Sequence, residues 1–149
     1  MTTSDLRGKG ASDKGTPALA ELHTRLLDTI AGYDKVLEKA QPEFTAIAAE
    51  FRSLHVRQAE RVAKMLRAAG HEPPKDGSFF GRVNRAVVEL RSWFDDISTN
   101  IMDALVAGEK HVLEAFDDAI TATTVPGNAE VLRQERADLV ALLDRYAPE

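Results

Sequence analysis

The sequence predicts an all-α fold: four long helices, with a short helix between the second and third of them. Three observations predict it. Apolar residues recur at steps of three and four over five segments. Residues that start or stop helices stand at the segment ends. No alternating apolar and polar segment is followed by a hairpin dipeptide. The 149 residues fit one domain and leave enough chain to bury a core.

The elements follow in order. Residues 1–16 hold Gly8, Gly10 and Gly15 among Ser and Thr. They have too few apolar side chains to offset ordering entropy, so a disordered tail is expected. The single bundle domain is expected over 17–149. Thr16-Pro17 reads as a cap followed by proline at the first helical position. The first helix then runs to about Ala40 on a stripe through Leu19, Leu22, Leu26, Ile30, Tyr33 and Leu37. Gln41-Pro42 ends it. The second runs from about Pro42 to Ala69 through Phe44, Ile47, Phe51, Leu54, Val62 and Met65, with Gly70 as its C-terminal stop.

The loop GHEPPKDG follows. Ser78 is placed to cap a short third helix rich in aromatics: Phe79, Phe80, Trp93 and Phe94. That helix is expected to pack on the bundle, and a membrane-surface or subunit contact is the other reading. Asp95-Asp96 starts the fourth helix, with Ile101, Leu105, Val112 and Phe116 on one line. Thr123 to Asn128 is a turn. The fifth helix runs to Tyr146 through Leu132, Leu139 and Leu142.

Composition excludes several chemistries. No cysteine is present, which removes disulfides, thiolate metal sites and cysteine catalysis. Neither a nucleophile elbow nor a phosphate-binding glycine loop occurs. No segment is apolar enough to span a membrane, and no apolar leader core stands at the start. The expected compartment is therefore the cytoplasm. Residues 1–94 carry 15 Lys and Arg against 12 Asp and Glu, and residues 95–149 carry 4 against 12. A chain of net charge −5 is a poor general binder of nucleic acid. The Arg57, Arg61 and Lys64 strip reads as a solvated face.

A site in a helical bundle is built from polar side chains on core-facing stripes. At about 100° per residue, Asp28, Lys35, Glu60 and His111 point outward. Glu109 falls on the line of Leu105, Val112 and Phe116, with Gly108 beside it to admit a neighbouring helix. Glu135 sits between Leu132 and Leu139, and Asp138 lies at the edge of that stripe. His55 and Gln58 share one face of the second helix, and Tyr33 is the inward polar group of the first. An ionised carboxylate in an apolar interior has to be paired, hydrogen-bonded, protonated or bound to metal. Two readings stand side by side. In one, Glu109, Glu135, Asp138 and His55 supply ligands to an ion such as iron or manganese. In the other, the acids pair with Arg61 or Arg136 and His55 with Gln58, and no ion binds.

The Gly32-Tyr33 pair, the second helix ending in AAGHEPP, the short third helix and Gly108-Glu109 opening GEKHVLEAFDDAI together carry a resemblance. Over residues 18–146 the chain resembles the stress-associated, ferritin-like bacterial proteins of the YciE/YciF type. The resemblance implies a ferritin-like four-helix bundle with an extra short helix in the crossover between the second and fourth helices, and it implies a homodimer. It also implies where a dimetal site would lie. Such a site takes one Glu from each of two helices and Glu-x-x-His from each of the others. Glu109 matches a lone Glu. Glu135-x-x-Asp138 has Asp where His belongs. His55-x-x-Gln58 is reversed and lacks the acid, and the first helix offers none. The expectation is a non-enzymatic, self-associating bundle protein with an incomplete buried carboxylate and histidine site and no cofactor. An iron- or manganese-handling oxidase and a helical adaptor for a protein partner are the alternatives.

Overall fold

The structure is a computed structural model and describes residues 2–39, 42–73 and 101–146. The expected short third helix, with Ser78 and its aromatics, and the Asp95-Asp96 start lie outside the described residues. The described residues form four helices: α1 (Thr2–Lys39), α2 (Pro42–Ala68), α3 (Ile101–Ala122) and α4 (Asn128–Tyr146). Among the described residues no helix is long and apolar enough to cross a membrane.

The helix ends follow from local chemistry. α2 opens on Pro42 with Glu43 in its first turn, where a missing N–H costs nothing and a negative charge meets the helix dipole. It closes in a Schellman arrangement. Gly70 adopts φ +81°, Gly70 N–H donates to Arg67 O, and His71 N–H donates to Leu66 O, both at 2.9 Å. Between α3 and α4, Asn128 N–H donates to Val125 O at 3.1 Å. Pro126 occupies the second position of that turn and Gly127 the third with φ +88°, the pattern of a type II turn.

One boundary differs from expectation. α1 begins at Thr2 and carries Pro17 inside it, so the helical backbone includes the segment expected to be a disordered tail. Thr16-Pro17 reads as a helix start because proline removes one backbone donor, yet a helix can absorb that loss at about 3 kcal/mol. Packing upstream of Pro17 contributes to the offset. Gly15 is buried, and a Cβ built on it would stand 2.8 Å from Thr123 Cα at the end of α3. The absence of a side chain lets the two backbones meet. Gly15→Val is therefore expected to destabilise the protein by about 1–3 kcal/mol, read as a lowered urea midpoint. An unchanged midpoint would show that this approach carries no packing energy.

The packed pairs are α1 with α2, α1 with α3, α2 with α4 and α3 with α4. The helices thus form a ring in which α2 and α3 face each other across the diagonal. Cross-contacts give the directions. Tyr33 meets Glu109 while Gly15 meets Thr123, so α1 and α3 are antiparallel. Tyr33 stacks near Phe51, while His23 lies close enough to feel the charges of Arg67 and His71, so α1 and α2 are antiparallel too. It follows that α2 and α3 run parallel, and α2 ends at the end of the bundle opposite to where α3 begins.

The core runs the length of the ring. Leu22, Leu26, Phe51, Leu66, Phe116, Leu132 and Leu139 are closed to solvent. Burying each of these stabilises the fold by roughly 1.5–3 kcal/mol. On α2 the buried face is shifted from the expected stripe. Ile47 and Met65 are only partly buried, and Ala48, Ala59, Ala63 and Leu66 lie inside. Small residues there admit the neighbouring helices closely.

Candidate functional site

The ring geometry brings one polar side chain from each of α1 and α3, and two from α2, to the middle of the apolar core. His55, Gln58 and Glu109 are at most 1% exposed and Tyr33 is 6% exposed. The four form a single hydrogen-bonded chain anchored on α4. Gln58 Nε2 donates to the main-chain carbonyl of Glu135 at 2.8 Å. That carbonyl can only accept, so the Gln58 amide has one orientation and its Oε1 faces His55 Nδ1 at 2.9 Å. His55 Nδ1 must then carry a hydrogen. The other ring nitrogen, Nε2, stands 2.9 Å from both oxygens of Glu109. Tyr33 donates its hydroxyl to Glu109 Oε2 at 2.6 Å.

This wiring orients the protons of the centre. Burial alone draws the His55 pKa down, but the charge of Glu109 and the hydrogen bonds of Glu109 and Gln58 outweigh it and hold the imidazole above its ordinary value. With Nδ1 already protonated, the proton that this shift favours sits on Nε2, on the side of Glu109. Burial first, then the charge and hydrogen bond of Glu109, push the Tyr33 phenol well above its usual range, so it stays a donor. The Tyr33 ring also lies nearly parallel to that of His55, 6.3 Å away between centres.

Of the four residues expected to converge on an ion, the structure brings two together. His55 and Glu109 meet at the centre. Glu135 is buried, as its stripe position implies, yet its carboxylate turns to the rim and meets Arg61 Nε at 3.1 Å; only its carbonyl joins the central chain. Asp138 is exposed and accepts from Gln134 at 3.0 Å. One turn of helix past Glu135, it has rotated beyond the packed face, so its place at the stripe edge is corrected to the surface. Arg136, the other arginine considered for the acids, pairs with Asp117 of α3 at 2.7 Å. Among the described residues no group of three or more His, Cys, Asp or Glu is placed to hold an ion.

Sequence reasoning missed His23. It is 5% exposed, and among the described residues its Nδ1 has no hydrogen-bond partner. Burial, with the positive charges of Arg67 and His71 nearby, lowers its pKa, so it rests neutral. The signal was present, because His23 falls four residues after Leu19 and three before Leu26 on the inward stripe of α1.

Comparison with known proteins places the chain in a family. The family model described as a domain of unknown function, DUF2383, matches residues 15–122. Neither the curated proteins nor the solved structures contain a match to the chain. The matched span holds Tyr33, His55, Gln58 and Glu109 and stops at the end of α3, before Glu135. With most of its 149 residues inside that match, the chain belongs to the DUF2383 family.

Proposed function

We propose that this chain is a non-enzymatic, ferritin-like bundle protein in which a self-satisfied hydrogen-bonded chain takes the place of a metal centre. Two features support the ferritin-like reading. α2 and α3 run parallel across the diagonal, and such a pair needs one long crossover, as ferritin-like bundles have. The central polar residues also come from helices at the positions where a bundle cofactor would be held. The donor set does not fit a dimetal group. α3 offers the Glu109 carboxylate, α2 offers imidazole and amide, α1 offers a phenol, and α4 offers only a carbonyl. One carboxylate and one imidazole fall short of the ligands two ions require.

One observation carries the reading: each of these four side chains finds its partner within the protein. An ion would have to displace the proton on His55 and break its contact with Glu109 to enter. The chain of bonds then serves to lock four helices in one register and in one arrangement. The resemblance to stress-associated proteins supplies the rest: a cytoplasmic protein acting through self-association, as a dimer, in stress physiology. Any adaptor role would draw on the aromatic segment around Phe79 and Trp93, which is outside the described residues.

Metal analysis tests the reading. Protein purified without chelator, then offered ferrous iron or manganese and desalted, is expected to retain no ion in stoichiometric amount. Its rate of ferrous-iron oxidation should equal that of the Glu109→Gln/Glu135→Gln variant. Near-stoichiometric iron or manganese, lost in Glu109→Gln, would establish the iron- or manganese-handling alternative instead.

A further inference from the structure

The chain holds two tyrosines and no cysteine, and both phenols donate to carboxylates. Tyr33 donates to Glu109 in the core, and Tyr146, the last residue of α4, donates to Glu50 of α2 at the half-buried rim. A phenol gives up an electron readily only when its proton leaves at the same moment, and a positioned carboxylate is the group that takes it. The two phenols are joined by a third ring. Phe51 is closed to solvent and lies 6.2 Å from Tyr33, nearly parallel to it, and 6.4 Å from Tyr146. The tyrosine rings are therefore no farther apart than the sum of those two steps.

We propose that Tyr33, Phe51 and Tyr146 form a path by which a one-electron oxidising equivalent leaves the core for the surface. The oxidant is a small radical of the class that abstracts single electrons. The first step removes an electron from Tyr33, reduces the oxidant to its anion, and passes the phenolic proton to Glu109. In the second step Tyr146 is oxidised and Tyr33 reduced. An electron moves from Tyr146 to Tyr33 by way of Phe51, the proton returns from Glu109 to the Tyr33 oxygen, and the Tyr146 proton passes to Glu50. The net change is a phenoxyl at Tyr146 in place of one at Tyr33.

Electrostatics gives the direction. A hole on Tyr33 leaves an extra positive charge beside the buried ring of His55, in a region closed to water, where unpaired charge is costly. At Tyr146 the accepting Glu50 is open to solvent and can release the proton to water. The guanidinium of Arg145, 5.3 Å from the Tyr146 ring centre, opposes the transfer, but it is itself mostly exposed and paired with Glu50 at 3.1 Å, which screens it. The hole therefore comes to rest outside.

Pulse radiolysis of the full-length chain with the azide radical tests this, following the phenoxyl absorption in a Trp93→Phe background that serves as the wild type, since the radical would otherwise oxidise the chain's one indole first. In the wild type the signal decays at a rate that rises with protein concentration, because radicals on Tyr146 meet between molecules. In Tyr146→Phe the radical is held on Tyr33, and its decay loses that dependence. Phe51→Leu, which keeps an apolar side chain in the core, shows both kinds of decay. Glu50→Gln lies at the rim, leaves the core intact and removes the outer proton acceptor, so it shows concentration-independent decay for the part of the radical that forms on Tyr33. No phenoxyl signal in Tyr146→Phe, or wild-type decay in Glu50→Gln, overturns the proposal.

Discussion

Glu109→Ala is expected to lower the unfolding free energy by about 3–5 kcal/mol, because it strands a buried charge partner. Glu109→Gln is expected to stay within about 1 kcal/mol of wild type. The contrast comes from how donors and acceptors are wired. In the alanine variant His55 loses the partner that Nε2 has among the described residues, and the Tyr33 hydroxyl loses its acceptor, so two buried polar groups go unpaired. Glutamine keeps the shape. Its oxygen accepts from Tyr33, and its amide donates to His55 Nε2, which becomes an acceptor once the ring is neutral. His55 Nδ1 still donates to Gln58, and Gln58 still donates to the Glu135 carbonyl. Every bond survives, and only the charge is lost. Urea unfolding of both variants measures the difference. Equal losses would mean that the charge of the pair, and not its connectivity, holds the centre together.

Stability as a function of pH is expected to fall on both sides of neutrality, and the two limbs belong to different histidines. The His55 pKa is raised in the fold. The native state therefore binds a proton more tightly than the unfolded chain. Its contribution is complete below the unfolded imidazole value of about 6.5 and is lost as pH climbs through the folded value, so His55 makes the alkaline limb. The opposite sign holds for His23, whose pKa is lowered by burial and by Arg67 and His71. Its contribution is present above about pH 6.5 and disappears as pH falls toward the folded value. Glu109→Gln should flatten the alkaline limb and leave the acid one. His23→Leu should do the reverse between about pH 5 and 6.5, above the range where most carboxylates titrate. Urea midpoints measured across pH for the three proteins decide the matter. A Glu109→Gln protein that keeps the alkaline limb would remove His55 from the account.

Much of this centre was legible before any coordinates. Helical phase alone places Tyr33, His55, Gln58, Glu109 and Glu135 toward the interior, and all five are buried. The turn after α3 and the glycine stop of α2 were legible from Pro126-Gly127 and Gly70, because those backbone conformations are local and few residues adopt them; the type of the turn came from the structure. Asp138 was not legible in this way. Three residues past Glu135, it differs from an inward position by a rotation smaller than the uncertainty in helix phase. Where α1 begins was likewise beyond local reading, since the Gly15 contact involves Thr123, a residue far along the chain.

The sequence by itself determined that the chain is helical, which faces are apolar, and which polar residues share those faces, because periodicity is a property of neighbours along one helix. It says nothing of height along the bundle or of which helix stands opposite. Only the tertiary structure decided that α2 and α3 run parallel across the diagonal. That arrangement sets His55 against Glu109 at the centre and sends the Glu135 carboxylate outward to Arg61. Partner choice between helices depends on contacts distant in sequence, and a repeat of 3.6 residues carries no record of them.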